Sequence, residues 1–198
     1  SFLCHLENKL LVKKKFKNIY SKSCQNLNMK DYLHKILKAR VYDVAIETAL
    51  EKGEKLSRKL KNTIWLKRED LQPVFSFKLR GAYNRMSHLT QEQLSKGVVA
   101  SSAGNHAQGV ALSAISLNCR AVIVMPVTTP PMKIEAVRSL NAEVILHGET
   151  YDEAYVEALR LSKADQLVFI HPFDDPEVIA GQGTIGIEIL RQLEEPPD

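Results

Sequence analysis

The chain has 198 residues, 44% hydrophobic and 25% charged, with 9 Gly and 8 Pro, ordinary usage for a globular chain with room for one good core. No window approaches the ~20 uninterrupted apolar residues of a membrane-spanning helix, and the three scattered cysteines (Cys4, Cys24, Cys119), with no CxxC pair, argue against a disulfide framework or a zinc site and fit a reducing compartment. The net charge of +4 is unevenly placed: residues 1–28 hold six Lys against one Glu, and the rest 21 Lys+Arg against 22 Asp+Glu, so the body carries no basic footprint for nucleic acid.

The basic leader, residues 1–28 with its Lys13-Lys14-Lys15 run, reads as a solvated segment. Its Lys and Ser content and scarcity of acids suit part of an organelle transit sequence. Its lack of Arg, and the onset of organised pattern at Asp31, favour a protein that starts at Met29. The cytoplasm is the compartment expected under the second reading, a plastid under the first.

From Asp31 onward the pattern is regular. Tyr32, Leu33, Ile36 and Leu37 fall at helical spacing behind a candidate Asp31 cap. Then follow a strand over 63–67, a helix over 78–89, a strand over 97–101 and an Ala/Val/Leu-rich helix over 105–117. A strand over 121–125 stops at Pro126. The next helix, over 131–140, has its prolines in the first turn, where a missing N–H costs little. A strand over 142–146, a helix over 151–163, a strand over 166–170 and a helix over 177–193 complete the series, the last helix delayed by Gly181 and Gly183. The strands are short continuous apolar runs, as in sheets covered on both faces. Strand–helix repetition with short links predicts an α/β fold with a parallel sheet and right-handed crossovers.

In open parallel sheets ligands bind beyond the carboxyl ends of the strands, which directs attention to the loops 72–81, 101–109 and 173–184. In Ser101-Ser102-Ala103-Gly104-Asn105-His106-Ala107-Gln108-Gly109, small residues let the backbone approach a ligand. The free N–H groups opening the following helix favour a carboxylate or phosphate, and Asn105 adds two donors and an acceptor. The same words also describe a plain capped turn. In Phe75-Ser76-Phe77-Lys78-Leu79-Arg80-Gly81, a lysine opens a helix among apolar neighbours. Dipole and desolvation both push its amine toward the neutral form that Schiff-base chemistry requires. Taken alone it also reads as a surface lysine whose stem covers apolar neighbours. Arg80 reads as structural, Lys67-Arg68-Glu69-Asp70 as a solvated charge cluster or a group orienting a site, and His106 as a ligand contact or a neutral hydrogen-bonded imidazole. The methionines at 29, 86, 125 and 132 read as ordinary packing. There is no GxxxxGK[ST] phosphate loop, and the six scattered His form no HxxxH pair.

Taken together, the run from Trp65 to Asn84, through Glu69-Asp70-Leu71-Gln72-Pro73 and Ser76-Phe77-Lys78-Leu79-Arg80-Gly81, resembles the pyridoxal-lysine segment of biosynthetic threonine dehydratases. Ser102-Ala103-Gly104-Asn105-His106 resembles their substrate and cofactor loop. Val124-Met125-Pro126, Leu146-His147-Gly148 and Pro172-Phe173-Asp174-Asp175-Pro176 through Gly181-Gln182-Gly183-Thr184 continue the match over about residues 31–193. The resemblance implies a fold type II pyridoxal 5'-phosphate enzyme, like tryptophan synthase β, that converts L-threonine, or L-serine, to an oxo acid and ammonia. For L-threonine the product is 2-oxobutanoate, at the entry to isoleucine synthesis. It also implies a homo-oligomer in the full-length form and no nucleic-acid or membrane partner. By motif, Lys78 holds the cofactor as a Schiff base and later acts as general base. Asn105 bonds its ring oxygen, and Ser102, Gly104 and His106 lie in the loop that receives the substrate carboxylate. The family's glycine-rich phosphate loop falls beyond Asp198, so this chain is expected to be an N-terminal fragment, inactive alone. A non-catalytic interaction subunit of the same fold and a serine/threonine dehydratase-racemase relative are the alternatives. Residues 29–84 would begin the larger domain, 85–180 form the small α/β domain, and 181–198 start the return. Ala49 stands where the family usually has Pro, and Asn141 where Gly is common.

Overall fold

A computed structural model describes residues 29–195; the basic leader lies outside them. Helix α1 (Met29–Lys38) is followed by a small antiparallel pair, β1 (Leu50–Lys52) and β2 (Trp65–Lys67), with helix α2 (Glu54–Leu60) in the connection. The all-parallel expectation is corrected here, because Leu50 pairs with Lys67 and Lys52 with Trp65 in opposite directions. Then come α3 (Lys78–Ser87), α4 (Gln91–Lys96), β3 (Val98–Ser101), α5 (Asn105–Ser116), β4 (Ala121–Met125), α6 (Pro131–Arg138), β5 (Glu143–Leu146), α7 (Tyr151–Ala164), β6 (Val168–Phe169) and α8 (Pro176–Gln192). The last four strands form one parallel sheet in the order β5-β4-β3-β6.

The sheet sorts its side chains with the two-residue period of a strand. Val98, Ala100, Ile123 and Met125 share a core with Ala107, Val110 and Ala111 of α5 and with Ile134 and Val137 of α6. Val99, Val122 and Val124 face Ala154, Ala158 and Leu161 of α7. Central strands β3 and β4 are therefore buried on both faces, as their continuous apolar runs predict. Helix α7 starts on a capping box: the Glu153 amide donates to Thr150 Oγ1 at 3.3 Å and the Thr150 amide to Glu153 Oε2 at 3.0 Å. Among the described residues no helix is long and apolar enough to cross a membrane.

Helix α3 lies between α5 and α8, and glycines set both crossings. A Cβ on Gly181 of α8 would stand 2.5 Å from the Arg80 carbonyl oxygen, and one on Gly81 would stand 2.8 Å from that of Val178. Gly181 and Gly183 do not delay α8, which begins at Pro176 with Asp175 as its cap; Asp175 Oδ1 accepts from the Glu177 amide at 2.8 Å. These glycines are contact positions. Gly181 packs on α3, and a Cβ on Gly183 would strike Ile36 of α1.

A buried ionic cluster joins the antiparallel pair to these helices. Arg80 is fully buried. Its Nε donates to Glu69 Oε2 at 2.8 Å, its Nη1 to Glu188 Oε1 at 2.5 Å and to Thr184 Oγ1 at 3.0 Å, and its Nη2 to Glu188 Oε2 at 2.9 Å. Lys67 Nζ lies 2.6 Å from Glu188 Oε2, and the Tyr42 hydroxyl donates to Glu188 Oε1 at 2.7 Å. The Thr48 hydroxyl donates to Glu69 Oε1 at 2.6 Å. Arg80 is structural, as its sequence setting predicts. The solvated reading of Lys67-Arg68-Glu69-Asp70 holds for half of that cluster: Asp70 is exposed and ion-paired to Arg68 at 2.8 Å, whereas Glu69 is buried and Lys67 nearly so. The reading of the methionines as packing is borne out for Met86 and Met125, both fully buried, and corrected for Met132, which is 80% exposed.

Candidate active site

Lys78 is the first residue of α3, and the loop before it turns sharply. The Phe75 amide donates to the Gln72 carbonyl at 2.7 Å, and Phe75 adopts φ +55°, unusual for a residue with a side chain. Lys78 is half-buried and lies 5.4 Å from the centroid of the Phe77 ring. Its Nζ donates to the Pro172 carbonyl at 2.8 Å. Burial pushes its amine below the usual lysine range, the direction expected from its apolar setting.

The second loop meets the first through Gly109. A Cβ there would stand 3.1 Å from the Leu79 amide nitrogen and 3.2 Å from the Lys78 carbonyl carbon, so α5 touches the root of α3 backbone to backbone. The 12-residue helix α5 opens at Asn105 behind Gly104, with no side-chain cap. Its first amides are the kind left without helical partners. A Cβ on Gly104 would meet nothing within 4 Å, so the space in front of this terminus is open. Ser102 Oγ accepts from the Gly104 amide at 3.2 Å, which leaves its own hydroxyl hydrogen free to donate. Asn105 is exposed on this rim.

His106 is turned the other way. Its ring is 3% exposed, and Nε2 meets the Ile170 carbonyl at 2.9 Å. A carbonyl only accepts, so Nε2 carries the proton and Nδ1 is left as a buried acceptor without a partner. Burial pushes this imidazole down to about 4 despite the Ile170 bond, with Lys78 and His171 acting in the same direction. The side chain is thus neutral and internal, and only the backbone N–H of His106 can face an anion at the helix terminus.

The third loop closes the site. His171 Nδ1 accepts from the Phe173 and Asp174 amides at 3.3 and 2.7 Å. Asp175, the cap of α8, accepts from Arg85 Nε at 2.9 Å. The structure therefore packs the Lys78 backbone on Gly109 of α5, the helix that Ser102, Gly104, Asn105 and His106 lead into, and it adds Pro172 and His171, which sequence reasoning missed. A backbone carbonyl has no signature in a sequence, so only the fold could reveal Pro172. Among the described residues no cluster of His, Cys, Asp or Glu could hold a metal ion.

A lysine with a depressed amine on the helix packed against α5, beyond the carboxyl ends of a parallel sheet, is chemically suited to covalent capture of a carbonyl compound bearing an anionic group. The model of the pyridoxal-phosphate dependent enzyme family matches residues 41–198, and the chain belongs to that family. Within it, the chain is 61% identical over 164 residues to a threonine dehydratase of Nicotiana attenuata, covering 83% of this chain and 27% of the relative. It is 60% identical over 169 residues to a biosynthetic L-threonine dehydratase of Burkholderia multivorans, covering 84% and 33%. Among solved structures, the processed form of threonine deaminase isoform 2 from Solanum lycopersicum superposes with a TM-score of 0.79 at 62% identity, covering 82% of this chain and 45% of that one. Maize serine racemase superposes with a TM-score of 0.78 at 32% identity, covering 83% and 50%. These neighbours bear out the fold type II expectation. The chain spans about a third or less of the curated relatives' length and about half of the solved chains.

Proposed function

We propose that this chain forms the lysine-bearing part of an enzyme that converts L-threonine to 2-oxobutanoate and ammonia, the water lost on dehydration being regained on hydrolysis, with pyridoxal 5'-phosphate as cofactor. The observation that carries the reading is the placement of Lys78. Its amine is depressed by burial and donates to the Pro172 carbonyl, and its backbone packs on Gly109 of α5, whose open terminus has room for an anion. The named relatives, near 60% identity, support threonine as the substrate.

The residues present fit the cofactor. Lys78 would be the attachment point, and the exposed Asn105 amide would bond its ring oxygen. When bound, the cofactor supplies an electron sink for negative charge developing at the substrate α-carbon. The Ser102 hydroxyl and the amides at Asn105 and His106 hold the substrate carboxylate at the positive end of α5. The Lys78 amine, once free, takes the α-proton. Neutrality of the buried His106 ring keeps a second positive charge away from that amine.

Residues 85–180 are proposed as the smaller lobe and 29–84 as the start of the larger one. Full activity is proposed to require the rest of the larger lobe, a reading supported by the partial coverage and by the exposure of Ile46, Leu60, Trp65, Leu66 and Leu71. The cytoplasm is the proposed compartment. A plastid is the alternative if residues 1–28 act in targeting, and the relatives named chloroplastic favour that alternative. The test is to add pyridoxal phosphate to the chain and record the visible absorbance of lysine-bound cofactor, then its change with L-threonine and L-serine. The reading expects absorbance in the wild type, none in Lys78→Ala, and a larger response to L-threonine. Equal absorbance in both proteins would remove Lys78 from its role.

A further inference from the structure

Strand β6 is only two residues long, and its ladder with β3 ends at the Ile170 amide, which donates to the Val99 carbonyl at 2.9 Å. The Ile170 carbonyl lies beyond the last paired residues, and a buried carbonyl without a donor is costly. The side chain of His106, reaching across from α5, supplies that donor at 2.9 Å. Two residues further on, the Pro172 carbonyl accepts from Lys78 Nζ. Between them, the His171 ring gathers the Phe173 and Asp174 amides and so turns the chain. Segment 170–174 is therefore tied at one end to α5 and presents its next free acceptor to the lysine.

We propose that His106 is a positioning residue for Lys78: by holding the Ile170 carbonyl it sets the Pro172 carbonyl as the resting acceptor of the lysine whenever that lysine is not bound to cofactor. The proposal rests on the reading of Lys78 as the cofactor lysine. It adds that the freed amine is held at a fixed place, within reach of the site, by an acceptor that stabilises its protonated form. The groups facing Lys78 are His106 on α5, His171 with its neighbours Asp174 and Asp175 on the loop before α8, and the Phe77 ring. Asp175 is already engaged by Arg85. A structural role alone would make His106 a strand-end clamp, with no consequence for the lysine beyond folding.

The two roles move the lysine in opposite directions. If the Pro172 carbonyl is displaced while Lys78 stays half-buried, the ammonium loses its acceptor and its pKa falls further. If the fold merely loosens, Lys78 meets water and its pKa rises toward the ordinary value. Competitive acetylation of the full chain with trace acetic anhydride over a range of pH, read at the Lys78 peptide by mass spectrometry, reports the titration midpoint without any cofactor. His106→Asn places its amide where Nδ1 now lies and cannot reach Ile170; His106→Gln places one near Nε2. We expect the Asn variant to lower the Lys78 midpoint, raising the neutral fraction at fixed pH by about ten- to a hundredfold, the scale of losing one bond to a charged group. The Gln variant restores the wild-type midpoint. An unchanged midpoint in the Asn variant, a midpoint that rises, or a Gln variant that behaves like Asn overturns the proposal. Failure of pyridoxal phosphate to attach at Lys78 would instead sink the parent reading and leave this result standing.

Discussion

Gly109 and Leu79 meet backbone to backbone: a methyl group on Gly109 would come within 3.1 Å of the Leu79 amide nitrogen. This contact packs the start of α3, which carries Lys78, directly on α5 one turn after the amides that open it.

Gly109→Ala follows from that contact. The new methyl forces the Lys78–Leu79 backbone to give by a few tenths of an ångström, while alanine gains helix propensity worth about 1 kcal/mol. Stability in urea is expected to change by no more than about 1 kcal/mol. Cofactor attachment at Lys78 is expected to fall at least about tenfold, since small displacements at reacting groups are costly. Equal losses of stability and attachment would contradict this account.

The Arg80 cluster predicts a large stability effect. Arg80→Met leaves Glu69 and Glu188 buried without their main partner, so urea unfolding is expected to show a loss of about 3–5 kcal/mol. Burial pushes the Glu188 carboxyl up, but hydrogen bonds from Arg80, Lys67 and Tyr42 overcome this and hold it below its usual 4.5. A depressed carboxyl contributes stability that is present above 4.5 and lost as pH falls below it. Glu188→Gln is expected to flatten that acid limb of the stability profile.

His106 acts in a different window. Its folded value is about 4 against an ordinary 6.5, so between these values the unfolded chain binds a proton that the folded chain refuses. Stability is complete above pH 6.5 and is lost as pH falls toward 4, by up to about 3 kcal/mol. His171, also depressed by burial, has the same sign. The difference between wild type and His106→Gln, followed by chemical denaturation across this range, isolates the His106 share.

Asn105→Ala separates binding from reactivity. Asn105 is exposed and lies at the first position of α5, so its loss is expected to weaken pyridoxal phosphate binding about tenfold, the scale of one or two hydrogen bonds. The acetylation midpoint of Lys78 is expected to remain unchanged. A shifted midpoint would show that Asn105 acts on the lysine itself.

Much of this architecture was legible in the chain. The runs Ala121–Met125 and Val98–Ser101 announced buried parallel strands, and the words around Lys78 and Asn105 marked the two loops that the fold brings together. The β1–α2–β2 unit was missed except for one strand, because Leu50–Lys52 is short and charged and lies at an exposed edge. The strand expected over 166–170 shrank to two residues, since Gln166 adopts φ +55°, which breaks the extended run. The left-handed Asn141, φ +57°, sits where the family tends to have glycine and gives that substitution a backbone reason. Local charge pattern made Glu69 look solvated. Its partner Arg80 is close in sequence, but the second carboxylate that completes the cluster, Glu188, lies more than a hundred residues away. The inward turn of His106 depends in the same way on a carbonyl at residue 170.

The most direct test of the central claim is to incubate the chain with pyridoxal phosphate, reduce with borohydride and map the phosphopyridoxyl label by peptide mass spectrometry. The account predicts one dominant label on Lys78, at sub-stoichiometric cofactor, and its loss in Lys78→Ala. A label spread over the surface lysines with Lys78 unmodified would contradict it.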